Sequence, residues 1–156
     1  MKLKRLGHVL FRVADVERSK DFYTRILGFQ ILEEDPDHDG VVFMALADNS
    51  HTIDLAPVPA GTPSTPQIDR RAYQGVGFRH VAFSVATQEE LRDSYFELQD
   101  KGVEVFSALD HVNQQSIYFR DPDDNVLEIY WERPNSKEIF ERGRGDNDEE
   151  ITFARP

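Results

Sequence analysis

Setting His80 under His8 brings two stretches of the chain into register at an offset of 72 residues. Val9 then matches Val81, Phe11 Phe83, Val13 Val85, Ala14 Ala86, Glu17 Glu89, Asp21 Asp93 and Tyr23 Tyr95. Matching this dense marks an internal duplication, so both halves must fold as copies of one supersecondary unit. Residues 6–13, LGHVLFRV, alternate around Val9, Phe11 and Val13 and predict a strand. Asp15 is placed to cap a helix over 16–27, with apolar residues at 16, 22, 23, 26 and 27 and Gly28 as its stop. Residues 29–34, 41–47 and 51–58 read as three further strands, which gives the order βαβββ. The second copy repeats it with a helix over 89–101, a strand over 103–106 and a closing hairpin over 115–132. The expected fold class is therefore α+β: one domain over 1–156 with modules at about 6–58 and 76–132, a linker at 59–75 and a tail at 133–156. Paired modules of this kind are expected to curl into one cup-shaped mixed sheet.

The closing hairpin, QSIYFRDPDDNVLEIYWE, turns on Asp121-Pro122-Asp123-Asp124-Asn125. A turn centred on Asp123 sets Tyr118 directly opposite Glu128, so a phenol and a carboxylate share one face. Taken alone, Glu128 reads equally well as an outward-facing residue on a half-exposed strand. The duplication changes the weighing, because it sets His8 and His80 at equivalent places on the first strands of the two modules. A lone histidine on an apolar strand is more often a satisfied core residue than a ligand, but here two occur in equivalent positions with an acid available. Two neutral imidazoles and one carboxylate leave three faces of an octahedral ion open, an arrangement suited to non-haem Fe(II), with Mn(II), Zn(II) or Ni(II) as alternatives.

The segments GHVLFRVADVERSKDFYTRILGF, GFRHVAFSV and SIYFRDPDDNVLEIYW resemble the vicinal oxygen chelate superfamily. That group includes glyoxalase I, fosfomycin-resistance proteins, methylmalonyl-CoA epimerase, bleomycin-binding proteins and type I extradiol ring-cleavage dioxygenases. The resemblance covers about 6–132 and implies metal ligands at His8, His80 and Glu128. It runs closest to the single-domain extradiol enzymes, which implies that His51 is an acid-base group and that His111 donates to bound oxygen or catecholate. Tyr118, ten residues before Glu128, is by the same resemblance a proton relay. The implied substrates are a small aromatic diol and O₂, and the implied assembly is a homodimer. Read without the resemblance, His51 is a loop histidine beside Asn49 and Ser50, His111 a turn residue after Asp110, and Tyr118 a cross-strand aromatic partner. The chain departs from the extradiol pattern in a longer segment between His51 and His80, a shorter spacing from His111 to Tyr118, and DPDD in the last turn. Glyoxalase I and related isomerases carry a fourth ligand, Glu or Gln, where this chain has Asp54, one methylene shorter. A metal-free binding module of the bleomycin-resistance type is the remaining alternative, and it would not need the His/His/Glu set.

Charge and composition remove other classes. With 18 Lys+Arg against 29 Asp+Glu the net charge is −11, which disfavours phosphate-backbone binding, so no nucleic-acid partner is expected. The absence of cysteine removes disulfides, thiolate metal sites and thiol nucleophiles. No apolar run approaches the roughly 18 residues of a membrane span, and the basic start lacks a cleavage signal, so a cytoplasmic protein is expected. DPDHDG at 35–40 resembles half of a calcium loop but has Leu46 where a bidentate Glu is required, and reads as a turn. The Gly75-Val76-Gly77 segment precedes a strand and lacks the third glycine of a dinucleotide loop. In the tail, 136–142 is expected to be a short helix and 142–150 to lack fixed structure.

Overall fold

Strand β1 (Val9–Val13) buries Phe11 and Val13 and leads through Ala14 into α1 (Val16–Asp21), whose first turn is capped by the Asp15 carboxylate accepting from the Arg18 N–H at 3.1 Å. The helix widens to a π-helical turn over Phe22–Ile26 and ends at Gly28, whose φ of 75° suits a residue without Cβ. Strands β2 (Gln30–Asp35), β3 (Val41–Ala45) and β4 (Ile53–Pro57) complete a mixed sheet of order β1-β4-β3-β2, with β1 and β4 parallel. Tyr23, Met44, Ile53 and Leu55 are fully buried in this module. The computed structural model describes residues 1–35, 40–46, 51–62, 77–145 and 147–155. Residues 36–39 of the DPDHDG turn, the Gly75-Val76 pair and most of the expected linker lie outside the described residues.

The second module repeats the plan. Strand β5 (Val81–Val85) leads into α2 (Gln88–Asp100), begun by a capping box in which the Thr87 hydroxyl accepts from the Glu90 N–H and the Glu90 carboxylate accepts from the Thr87 N–H. Strands β6 (Ser107–Asp110), β7 (Gln114–Arg120) and β8 (Val126–Glu132) follow, and β5 and β8 are parallel neighbours. The strand expected at 103–106 begins later, at Ser107, because Val103 is taken up by the end of α2. Its N–H donates to Leu98 O at 2.8 Å and the Gly102 N–H to Gln99 O at 2.9 Å, with Gly102 at φ 78°, the Schellman closure of a helix. In the β7–β8 hairpin Tyr118 pairs with Glu128, as the turn position requires, and Asp121 closes the turn by accepting from the Asn125 N–H and side-chain amide at 2.8 Å each.

The tail forms the short helix expected at 136–142 and departs from expectation beyond it. It forms α3 (Ser136–Arg142), then β9 (Glu149–Glu150), which pairs antiparallel with β6 and covers an otherwise open sheet edge, giving the order β5-β8-β7-β6-β9. Further on, Phe153 packs on Tyr95 and Arg155 pairs with Asp100 at 2.5 Å, fastening the end of the chain to α2. A segment rich in charge acquires structure here because a sheet edge and a helix face are available to it.

The fold groups into two compact units, Met1–Pro66 with Pro122–Asp124, and Gln67–Asp121 with Asn125–Pro156. Asp123 belongs to the first, accepting from the Ala14 N–H, the Ser19 hydroxyl and, at 2.7 Å, the Arg18 guanidinium. Among the described residues no helix is long and apolar enough to cross a membrane.

Candidate metal centre

The duplication extends to strand register. In the first module Leu10 lies beside Asp54 on β4, and in the second Ala82 lies beside Glu128 on β8. Each histidine stands two residues before the first member of its pair, so each is brought to a carboxylate on the last strand of its own module. His80 Nε2 is 2.9 Å from Glu128 Oε2, and His8 Nε2 is 3.6 Å from Asp54 Oδ2. The wider gap is in the direction expected of a side chain one methylene shorter.

Within the first unit, Asp54 is buried while His8 is half exposed. His51 Nε2 bonds Asp54 Oδ1, and the His8 and His51 rings stack with centroids 4.3 Å apart and planes 19° apart, with Phe43 edge-on to His51. One donor atom from each of His8, His51 and Asp54 lies within 4.8 Å of the others. A buried carboxylate is costly without partners, and the imidazoles supply them. Sequence reasoning placed Asp54 only as a counterpart of an isomerase ligand. The structure makes it a member of the cluster, and its alignment with Glu128 in the repeat was the signal for that.

In the second unit, Glu128 is 2 % exposed. Burial pushes its carboxyl up, but hydrogen bonds with His80, Ser116 and Tyr118 outweigh this and hold it below the ordinary glutamate value. Gln114 Nε2 donates to its other oxygen at 2.9 Å. The Tyr118 ring stands edge-on to His80 on one side and to His111 on the other, and its hydroxyl is 2.8 Å from His111 Nε2. His111 Nδ1 is in turn 2.8 Å from Asp148 Oδ1. Four of the six residues singled out in the sequence, His80, His111, Tyr118 and Glu128, thus form one hydrogen-bonded set in this unit. His8 and His51 form the other set with Asp54. Gln114, Ser116 and Asp148 were not foreseen; the first two sit in an apolar-polar strand pattern with no special mark, and Asp148 lies in a tail without a repeat to align.

The donors suit a divalent ion. Two bonds of about 2.1 Å at a right angle separate their donor atoms by about 3 Å, close to the 2.9 Å between His80 and Glu128. Imidazole nitrogen with carboxylate oxygen is the donor chemistry of Fe(II), Mn(II) and Zn(II). The sequence model of the Glyoxalase/Bleomycin resistance protein/Dioxygenase superfamily matches residues 5–129. The chain belongs to this superfamily. It is 30% identical over 125 residues to biphenyl-2,3-diol 1,2-dioxygenase 3 of Rhodococcus globerulus, covering 80% of this chain and 62% of that protein. The chain therefore spans about three fifths of that relative's length. It is 31% identical to the uncharacterized protein YwkD of Bacillus subtilis, covering 83% of this chain and 98% of that one. Among solved structures, a mutant form of the fosfomycin-resistance protein FosX of Listeria monocytogenes, complexed with Mn(II) and 1S,2S-dihydroxypropylphosphonic acid, superposes with a TM-score of 0.64. It is 19% identical and covers 87% of this chain and 96% of that one, a likeness of fold. Sequence relatives of the chain thus include dioxygenases and, at 25% identity over 130 residues, the metallothiol transferase FosB of Staphylococcus epidermidis.

Proposed function

We propose that this chain is a metal-dependent dioxygenase of the extradiol type, cleaving a small aromatic diol with O₂, with His8, His80 and Glu128 as metal donors and Fe(II) as the ion. The observation that carries the reading is the second-unit set: a buried Glu128 kept ionised beside His80, with a phenol–imidazole pair, Tyr118–His111, continuing from it. Mn(II), Zn(II) and Ni(II) are the alternative ions for the same donors. The identity to a biphenyl-diol dioxygenase supports a diol as substrate.

A bound divalent ion would supply charge to hold a diol as its monoanion and a place for O₂. The chain's own groups do the rest. His51, its ring held by Asp54, takes a proton from the diol. The Tyr118 hydroxyl, 2.8 Å from His111 Nε2, can turn its one O–H from that nitrogen to a substrate oxygen and steady charge developing there. Gln114 and Ser116 keep Glu128 fixed, so that its orientation does not depend on the substrate. Adding a panel of diols, from catechol to bicyclic diols, to the Fe(II)-loaded protein in air is the test. A yellow ring-opened product with at least one diol is expected, and none with any would remove the reading.

A second reading rests on Asp54. Its register equivalence to Glu128, and its closeness to His8 and His51, are what a fourth metal donor of an isomerase would require. If the dioxygenase reading holds, Asp54→Ala keeps its metal and loses rate through a poorly oriented His51, by about 10- to 100-fold. Metal analysis decides the matter: a loss of metal equal to that of Glu128→Ala makes Asp54 a ligand and favours the isomerase.

A further inference from the structure

The proposed function leaves unexplained why the chain continues past its second module. The tail returns to the edge of that sheet, and just before β9 it delivers Asp148 to His111. We propose that Asp148 is a positioning residue: its carboxylate fixes the proton of His111 on Nδ1, so that Nε2 is left as the acceptor facing the Tyr118 hydroxyl.

Three independent features of the structure converge on this imidazole. His111 is 7 % exposed and both its ring nitrogens are engaged, Nδ1 with Asp148 Oδ1 and Nε2 with the Tyr118 hydroxyl, each at 2.8 Å. A carboxylate only accepts, whereas a phenol can donate or accept, so a neutral ring carries its proton on Nδ1 toward Asp148 and takes the phenol proton at Nε2, in competition with Glu128. Its backbone is held in a tight γ-turn: the Asn113 N–H donates to His111 O at 2.8 Å across Val112, which has φ 71°. Such a conformation is unfavourable for a β-branched residue, by about 1–3 kcal/mol, and is maintained by Asp110 Oδ1 accepting from the Val112 N–H and by the His111 N–H donating to Gln114 O. Finally, the Arg144 guanidinium reaches both ends of the arrangement, donating to His111 O at 2.6 Å and to Asp148 Oδ1 at 3.1 Å. One cation therefore clasps the turn and the carboxylate to the same place.

This inference depends on the proposed dioxygenase activity only for the use made of the tautomer; the tautomer itself is a property of the intact, metal-free chain. Long-range proton–nitrogen correlation of the histidine rings reads it directly, with His111 assigned by the loss of its signals in His111→Gln. The expected result at neutral pH is an Nδ1–H, Nε2-unprotonated ring in the wild type. Asp148→Asn, which keeps an acceptor oxygen, should retain that form, and Asp148→Ala should shift the ring toward Nε2–H. On Fe(II) loading, Asp148→Ala should lower kcat by about 10- to 100-fold with KM and iron content unchanged. A wild-type ring protonated on Nε2, or on both nitrogens, overturns the proposal whatever the Asp148 variants do. So does an Asp148→Ala ring that stays in the Nδ1–H form. If the tautomer behaves as expected but no diol is cleaved, the Asp148 assignment stands and the dioxygenase reading falls.

Discussion

Replacing Glu128 by Ala is expected to abolish both metal binding and turnover. The carboxylate is the proposed acidic metal donor, buried, hydrogen-bonded on both oxygens and 2.9 Å from His80 Nε2. Supporting groups around a metal ligand are typically worth about 10- to 100-fold in affinity or activity, and loss of the ligand itself should exceed that range. Because Glu128→Ala also removes one hydrogen-bond partner from each of Gln114 and Tyr118 and leaves a gap on a buried face, Glu128→Gln is the companion variant. It keeps the shape and hydrogen-bonding capacity while removing the charge. Elemental analysis of both, purified without oxygen, should give metal far below wild type while circular dichroism holds. Wild-type metal content in Glu128→Gln would mean that the ion, if there is one, is held elsewhere.

His51→Ala should separate chemistry from metal binding. His51 shares Asp54 with His8 in the first unit, and its removal leaves Asp54 with His8 as a partner. Iron content should therefore persist. The diol should still bind, while kcat falls by about 10²- to 10⁴-fold, the usual worth of a positioned acid-base group. The diagnostic pattern is a large fall in kcat with little change in KM, restored in part by added imidazole. Wild-type turnover in this variant would remove His51 from the proton chemistry while leaving the metal donors untouched.

The parts of this molecule that were legible in its sequence are those written in short-range periodicity and copied twice. The βαβββ order, the cap at Asp15 and the stops at Gly28 and Gly102 all follow from local chemistry. The pairing of Tyr118 with Glu128 followed from a turn whose residues are chemically committed to turning, and the observed register is the expected one. Alternation alone failed at 103–106, where apolar residues look like strand but Val103 closes a helix instead. The grouping of His8 with His51 and Asp54 was only half legible, because it depends on parallel pairing of β1 with β4, strands separated by most of a module. Asp148 was not legible at all. Its role comes from a sheet edge that the tail happens to complete, and nothing in the tail's own composition announces that edge.

The most direct measurement is oxygen consumption by the protein loaded anaerobically with Fe(II) and given each diol of the panel in turn, with ¹⁸O₂ as the gas. One O₂ should disappear for each diol consumed, and both labelled atoms should appear in a yellow ring-opened product. Glu128→Gln should do neither. Diol that is unchanged while oxygen stays constant, or an isomerised or merely bound ligand carrying no label, would contradict the reading and favour the second one, built on the His8–His51–Asp54 cluster.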